Sequence, residues 1–229
     1  MDIVELKTWA KSAKGEAIPL FHSFDLATIE NRPHLVMIGG THGDEPAGVQ
    51  LAKDTLNYLK SLDNNLCAWS WTLIPCLNAD GYAQNERTNG NGVDLNRNYP
   101  SSNWSPESKK PRYFPGNAPG SEPEIASLVE WTKKYPVKLF VHFHSWEPCV
   151  VCTGAPARPL AQFLANSSGY PLQDHIGYPT AGSLSQFGWS DQNIPVICTE
   201  EDDNADYKTT WDRFGPGLKK LLSTPCPYS

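Results

Sequence analysis

Five short apolar runs punctuate the chain, and helical spacing fills the gaps between them. HLVMIGG (34–40), WTLIPCL (71–77), VKLFVHFH (137–144), CVVC (149–152) and IPVICTE (194–200) are short, continuous and rich in β-branched or aromatic residues. Such runs read as strands buried on both faces. Val49, Ala52, Leu56 and Leu59 recur at helical intervals and predict a helix over about 45–62. Ser121-Glu-Pro-Glu124 reads as a capping box with an early proline, opening a helix that runs to about Lys134. RPLAQFLANS (158–167) predicts a short helix, and 207–222 a closing one. Asn78-Ala-Asp-Gly81 carries a turn signal. Residues 82–120, full of Asn, Gly and Pro, read as a long loop of the kind that usually carries function. Buried strands alternating with amphipathic helices predict an α/β fold, with helices on both faces of a largely parallel sheet. Sites in such sheets form at the carboxyl ends of strands. His42, Asn78, His144 and Glu200 all fall at or just after predicted strand ends.

Composition narrows the class. The 229 residues suffice for one large α/β domain with a sizeable core. A net charge of −6 argues against a nucleic-acid binder, which needs clustered Lys and Arg. No stretch approaches the roughly 20 apolar residues of a membrane span. The amino-terminal MDIVELKTWAKSAKGEA lacks the apolar core of a signal peptide, so a cytoplasmic location is expected. Of the six cysteines, Cys76, Cys149, Cys152 and Cys198 sit in strand-like runs and read as buried and reduced. Cys149-Val-Val-Cys152 has no second such pair to complete a zinc site.

Candidate chemistry begins at GGTHGDEPAG (39–48), where a strand hands over to a helix. Catalytic zinc takes three ligands from His and carboxylates and keeps one position open. His42 and Glu45 could give two, but their three-residue spacing alone does not decide it. A third must come from a distant strand end. His144 is the better candidate, beside the Ser-Trp loop; His142 competes, because it lies on the same strand face. RTNGNGVDLNRNYP (87–100) then places Arg87, Asn96 and Arg97 in one loop. Guanidinium groups suit carboxylate binding and oxyanion stabilisation. Asp44 reads as a helix-start acid, favoured by the helix dipole.

These residues together resemble the M14-type zinc carboxypeptidases. The likeness rests on His42-x-x-Glu45, Asn78-Ala-Asp-Gly81, Arg87, Gly92-Val-Asp-Leu-Asn-Arg-Asn98, His144-Ser145, Tyr178 and Glu200, in that order. Within the family it is strongest to the murein peptide amidase A group, γ-D-glutamyl-meso-diaminopimelate peptidases. That part rests on Gly40–Glu45, Val93–Pro100, Pro119–Glu124 and Gly177–Ser183, and the whole covers roughly residues 34–203. The resemblance implies a single catalytic domain over 1–229, a three-layer α/β/α fold with a mixed, mostly parallel central sheet. It implies one Zn²⁺ per chain, held by His42, Glu45 and His144. Asp94 would take the N–H of His42, Glu200 would be the general base, and Arg87 would hold the developing oxyanion. Asn96 and Arg97 would grip the substrate's terminal carboxylate, with Tyr178 closing over it.

Glu201 is the alternative to Glu200, and a one-residue shift along a strand turns a side chain to the other face. His142 stands where a small residue is expected, and Ala79 replaces a common proline. His22, His34 and His175 belong to no motif and read as surface or satisfied core residues. The implied activity is hydrolysis of the γ-D-glutamyl-diaminopimelate bond, releasing C-terminal diaminopimelate for cell-wall peptide recycling. The implied partner is a small peptide with a free carboxylate. A general carboxypeptidase is the alternative, and an N-acyl amino-acid deacylase a more distant one. PTAGSLSQFGW (179–189), after Tyr178, holds no acid, which argues against a strict preference for basic side chains; Ser183, Ser185 and Gln186 suit polar groups.

Overall fold

Alternate residues of the same strands feed two separate cores. Leu35 and Met37 face one, Val36 and Ile38 the other, and all four are fully buried. This is the signature of a sheet covered on both sides. The computed structural model describes residues 3–23, 32–62 and 66–228. Its strands are β1 (Val4–Lys11), β2 (Ala17–His22), β3 (His34–Ile38), β4 (Ser70–Ile74), β5 (Val137–Trp146), β6 (Cys149–Thr153), β7 (Leu172–Gln173) and β8 (Val196–Asp202). They form one eight-stranded sheet in the order β1-β2-β4-β3-β5-β8-β6-β7. The centre, β4-β3-β5-β8, is parallel, while β1-β2, β2-β4 and β8-β6 are antiparallel. The sheet is therefore mixed and mostly parallel, as expected.

The helices are α1 (Pro46–Ser61), α2 (Ala79–Gln84), α3 (Pro123–Lys134), α4 (Arg158–Ser168) and α5 (Thr210–Ser223). Leu51 and Leu56 of α1, Leu160 and Leu164 of α4, and Phe214 and Leu218 of α5 fill one core. Ile125, Leu128 and Trp131 of α3 fill the other, with Leu95, Tyr99 and Phe187. No helix among the described residues is long and apolar enough to cross a membrane.

Several sequence expectations are corrected. Asn78-Ala-Asp-Gly is not a free turn but the start of α2: the Gly81 N–H donates to Asn78 Oδ1 at 2.9 Å. Asn78 Nδ2 in turn donates to the Arg87 carbonyl at 3.1 Å, so this cap holds the arginine loop. The capping box at α3 does not form. Glu122 is the cap residue, and Ser121 Oγ donates to Glu122 Oε1 at 2.8 Å instead of receiving a helix amide. Pro123, with no N–H to satisfy, opens that helix instead. Asp44 does not serve the start of α1 either; it pairs with Arg112 at 3.1 Å. Glu45 occupies the cap position without capping, because its carboxylate is turned to the histidines. All six cysteines are free, and Cys149 and Cys152 enter different cores, so they face opposite sides of the sheet.

Helix α1 lies unusually close to β5. A Cβ on Gly48 would stand 2.2 Å from the Phe143 carbonyl oxygen. That approach brings the start of α1, with Glu45, against the end of β5, with His144. Gly48→Ala is expected to force the two apart and destabilise the protein by about 1–3 kcal/mol, the usual range for overpacking. The measurement is thermal or denaturant unfolding; a midpoint equal to wild type would show that the contact relaxes freely.

Candidate metal centre

Three strand ends on one edge of the parallel centre deliver the site. After β3 the chain passes through Gly39 and Gly40, the latter at φ 60°, and presents His42. Next to it, β5 presents His144, and β8 presents Glu200 directly opposite His144 in register. The three-residue step from His42 to Glu45 spans the turn into α1. His42 Nδ1 lies 2.7 Å from Glu45 Oε1, His144 Nδ1 lies 2.7 Å from Glu45 Oε2, and the two Nδ1 atoms are 3.0 Å apart. His42, Glu45 and His144 thus converge on one point with a metal-ligand donor set. Their other nitrogens are already engaged. Asp94 Oδ1 accepts from His42 Nε2 at 3.0 Å, and His142 Nδ1 meets His144 Nε2 at 2.9 Å.

The electrostatics call for a cation. His42, Glu45, Asp94, His144 and Glu200 are each at most 8 % exposed, so their charges are poorly solvated. Burial acts to raise the Glu45 carboxyl, but the imidazoles of His42 and His144 outweigh it and hold Glu45 well below the usual range. Asp94 is likewise lowered against its burial, by His42 and Arg87. Burial and Arg87 act to lower His42, yet Glu45 and Asp94 lift it above its ordinary value. Glu200 goes the other way: burial, then the nearby negative Glu45, push it well above a normal carboxyl. One carboxylate, Glu45, and two imidazole nitrogens meeting at one buried point fit a divalent ion with mixed N/O ligands.

Arg87 is held rigidly beside this point. Its Nε donates to Asp94 Oδ2 at 2.8 Å, its Nη1 to Glu45 Oε1 at 3.2 Å, and its guanidinium stacks on Tyr113 at 5.2 Å. Asp94 therefore ties His42 and Arg87 together with its two oxygens. The same residue opens a short helical turn, Leu95–Arg97, by accepting from the Asn96 N–H at 3.0 Å. Asn96 Oδ1 accepts from the Leu184 N–H at 3.0 Å, which leaves its amide N–H groups for the cavity. Arg97 Nη1 donates to the Asn96 carbonyl at 2.7 Å. Tyr178 is half exposed at the rim, its ring edge-on to Trp146 with centroids 5.4 Å apart.

All of these groups except Asp94 line one cavity of about 610 Å³. Strand parity separates the two candidate glutamates. Glu200 faces the cavity. Glu201 faces α5, where it accepts from Arg213 Nε at 2.7 Å and from the Tyr170 hydroxyl at 2.6 Å.

The sequence reading named His142 only as a rival ligand and missed several contributors to this cavity, among them Cys198, His175 and Asp174. Cys198, two residues before Glu200 on the same face, donates its S–H to Glu200 Oε1 at 3.3 Å. His142 and His175 both line the wall, the first deep and the second exposed. Asp174, paired with Arg158, adds an acid that the segment after Tyr178 lacks. The period-two pattern that placed His142 on β5 could have placed Cys198 on β8 in the same way. Asp174 and His175 lie in a loop with no periodicity to read.

Comparison with known proteins agrees with this geometry. A model of the family "Zinc carboxypeptidase" matches residues 1–156. Murein peptide amidase A of Escherichia coli K12 is 31% identical over 186 residues, covering 76% of this chain and 73% of its own. The Vibrio campbellii protein of the same name is 26% identical, covering 84% and 77%. Among solved structures, murein-tripeptide amidase MpaA from Escherichia coli O157 superposes with a TM-score of 0.76 at 26% identity, covering 98% of this chain and 92% of that one. Carboxypeptidase A from Helicoverpa armigera gives 0.79 at 16% identity, a likeness of fold, covering 97% and 69%.

Proposed function

The chain belongs to the zinc carboxypeptidase family and is a zinc metallopeptidase, and from that premise we propose that it hydrolyses the γ-D-glutamyl-meso-diaminopimelate bond of murein peptides. His42, Glu45 and His144 would hold the zinc. When bound, zinc supplies Lewis-acid polarisation and lowers the pKa of water. Glu200 would take a proton from the attacking water and return it to the departing amine. Its Oε1 is held by the Cys198 thiol, which keeps the carboxylate oriented. Arg87, pinned by Asp94 and Glu45, would meet the oxyanion with no reorganisation at the moment of reaction. Asn96 and Arg97 would hold the substrate carboxylate, and Tyr178 with Trp146 would cover it.

One observation carries the substrate reading: the cavity wall has polar groups of both kinds. Ser183, Ser185 and Gln186 offer hydroxyls and an amide, Asp174 an acid, and Arg112 a cation. Diaminopimelate ends in an amine and a carboxylate, and both need partners. An unpaired buried polar group costs about 1–3 kcal/mol, so such a wall disfavours purely apolar leaving groups. The 31% identity to a murein peptide amidase points the same way.

The test is purified protein with L-Ala-γ-D-Glu-meso-diaminopimelate beside a matched standard peptide, products read by mass spectrometry. Diaminopimelate release that stops on chelation and resumes with zinc is expected. Brisk release of ordinary C-terminal residues with an intact tripeptide would replace this reading with a general carboxypeptidase.

A further inference from the structure

His142 stands directly behind His144 on β5, on the same strand face and 2% exposed. The rings meet edge-on, with centroids 4.6 Å apart and planes at 88°. His144 Nδ1 faces Glu45 Oε2 and His42 Nδ1, while His144 Nε2 faces His142 Nδ1. A neutral imidazole that offers its Nδ1 lone pair to a cation carries its proton on Nε2. That proton then points at His142 Nδ1, which must accept it. The proton of His142 is thereby fixed on its own Nε2. That atom is buried and has no hydrogen-bond partner among the described residues. A side chain retained for packing alone would have no reason to bury an unpaired N–H. The bond through Nδ1 gives one.

We propose that His142 is a positioning residue for the metal: by accepting from His144 Nε2–H, it locks His144 in the tautomer and ring rotation that present Nδ1. Asp94 holds the same relation to His42. The inference rests on the reading of His144 as a ligand. The rival use of His142 is as a ligand itself, since His142, His144 and Cys198 also lie close enough to share an ion. That use needs the Nε2 lone pair of His144, which the Nδ1-donating tautomer does not have. It also needs the Cys198 thiol, already donated to Glu200. A neutral His144 can serve one arrangement or the other.

The experiment measures zinc dissociation constants by competition with a chromogenic chelator, for wild type, His142→Asn and His142→Leu, with melting curves of the metal-free proteins. Asparagine can place a carbonyl oxygen near the Nδ1 position; leucine has similar bulk and no acceptor. His142→Val gives the same comparison if leucine does not fold. The apolar variant is expected to bind zinc about 10- to 100-fold more weakly, the usual effect of removing a ligand's hydrogen-bond partner, and His142→Asn to stay near wild type. Equal affinity in all three, or an equal loss in both variants, overturns the proposal. So does a second equivalent of cobalt(II) with a sulfur-to-metal charge-transfer band that Cys198→Ser removes. A wild type whose zinc binding is untouched by His144→Ala is a different result, and it sinks the ligand reading beneath.

Discussion

Glu200→Gln is expected to bind zinc normally and to lose about 10²- to 10⁴-fold in kcat, the range for a missing general base. Glutamine keeps the shape and an oxygen that can still accept the Cys198 S–H, which sits at 3.3 Å in the native protein. It cannot accept a proton. The electrostatic setting sharpens the loss. Burial and the neighbouring Glu45 raise the proton affinity of Glu200 well above a normal carboxyl, and Cys198 and Arg87 only partly oppose them. KM should change little, because Asn96 and Arg97 are untouched. The companion Glu201→Gln should leave kcat intact and lower stability, since Glu201 is 1% exposed and anchors Arg213 and Tyr170. Steady-state kinetics with zinc content by elemental analysis decide it. An unchanged kcat in Glu200→Gln, with loss in Glu201→Gln, would transfer the role to the other face of β8.

The sequence exposed the central strands because burial on both faces leaves an uninterrupted apolar run. It hid β1 because that strand is an edge: seven of the eight residues of VELKTWAK are exposed or half-buried and polar residues recur through it. The helical turn at Gln186–Asp191 and the two-residue β7 have too few residues to show any period. Local signals failed where tertiary partners competed for the same atoms. Ser121 and Glu124 form no capping box because Ser121 Oγ donates to Glu122 Oε1, while Glu124 accepts from the Ala13 N–H and from Asn89 Nδ2. Glu45 sits at a helix start without capping it for the same reason: two imidazoles claim its carboxylate.

The convergence of His42, Glu45 and His144 was legible because each follows from a strand end, and strand ends of a parallel sheet share an edge. The choice between Glu200 and Glu201 was legible only as a parity question. The register His144↔Glu200 puts Glu200, and not Glu201, on the cavity side. The His142–His144 bond was not legible, because a same-face neighbour on a strand can equally be a rival ligand or a partner.

His144→Ala is expected to weaken zinc binding by roughly 10²- to 10⁴-fold. Zinc bound to a small protein site contributes about 10–16 kcal/mol. Removing one of three donors would take roughly a third of that, about 3–5 kcal/mol, or roughly 10²- to 10⁴-fold in affinity. The neighbouring histidine does not rescue it. His142 lies on the same face but two residues deeper on β5, with its Nδ1 turned to His144 rather than to Glu45. The readouts are elemental analysis after dialysis and the melting midpoint with and without zinc. A ligand that binds only the folded state stabilises it by RT ln(1 + [L]/Kd). Wild type should therefore melt higher with zinc, and the variant should need about 10²- to 10⁴-fold more zinc for the same rise. The metal-free forms separate metal loss from misfolding. His144→Ala still leaves Glu45 its contacts to His42, Arg87 and the Ser145 N–H, so the variant should remain folded. A folded His144→Ala protein with full zinc content would move the third ligand to His142.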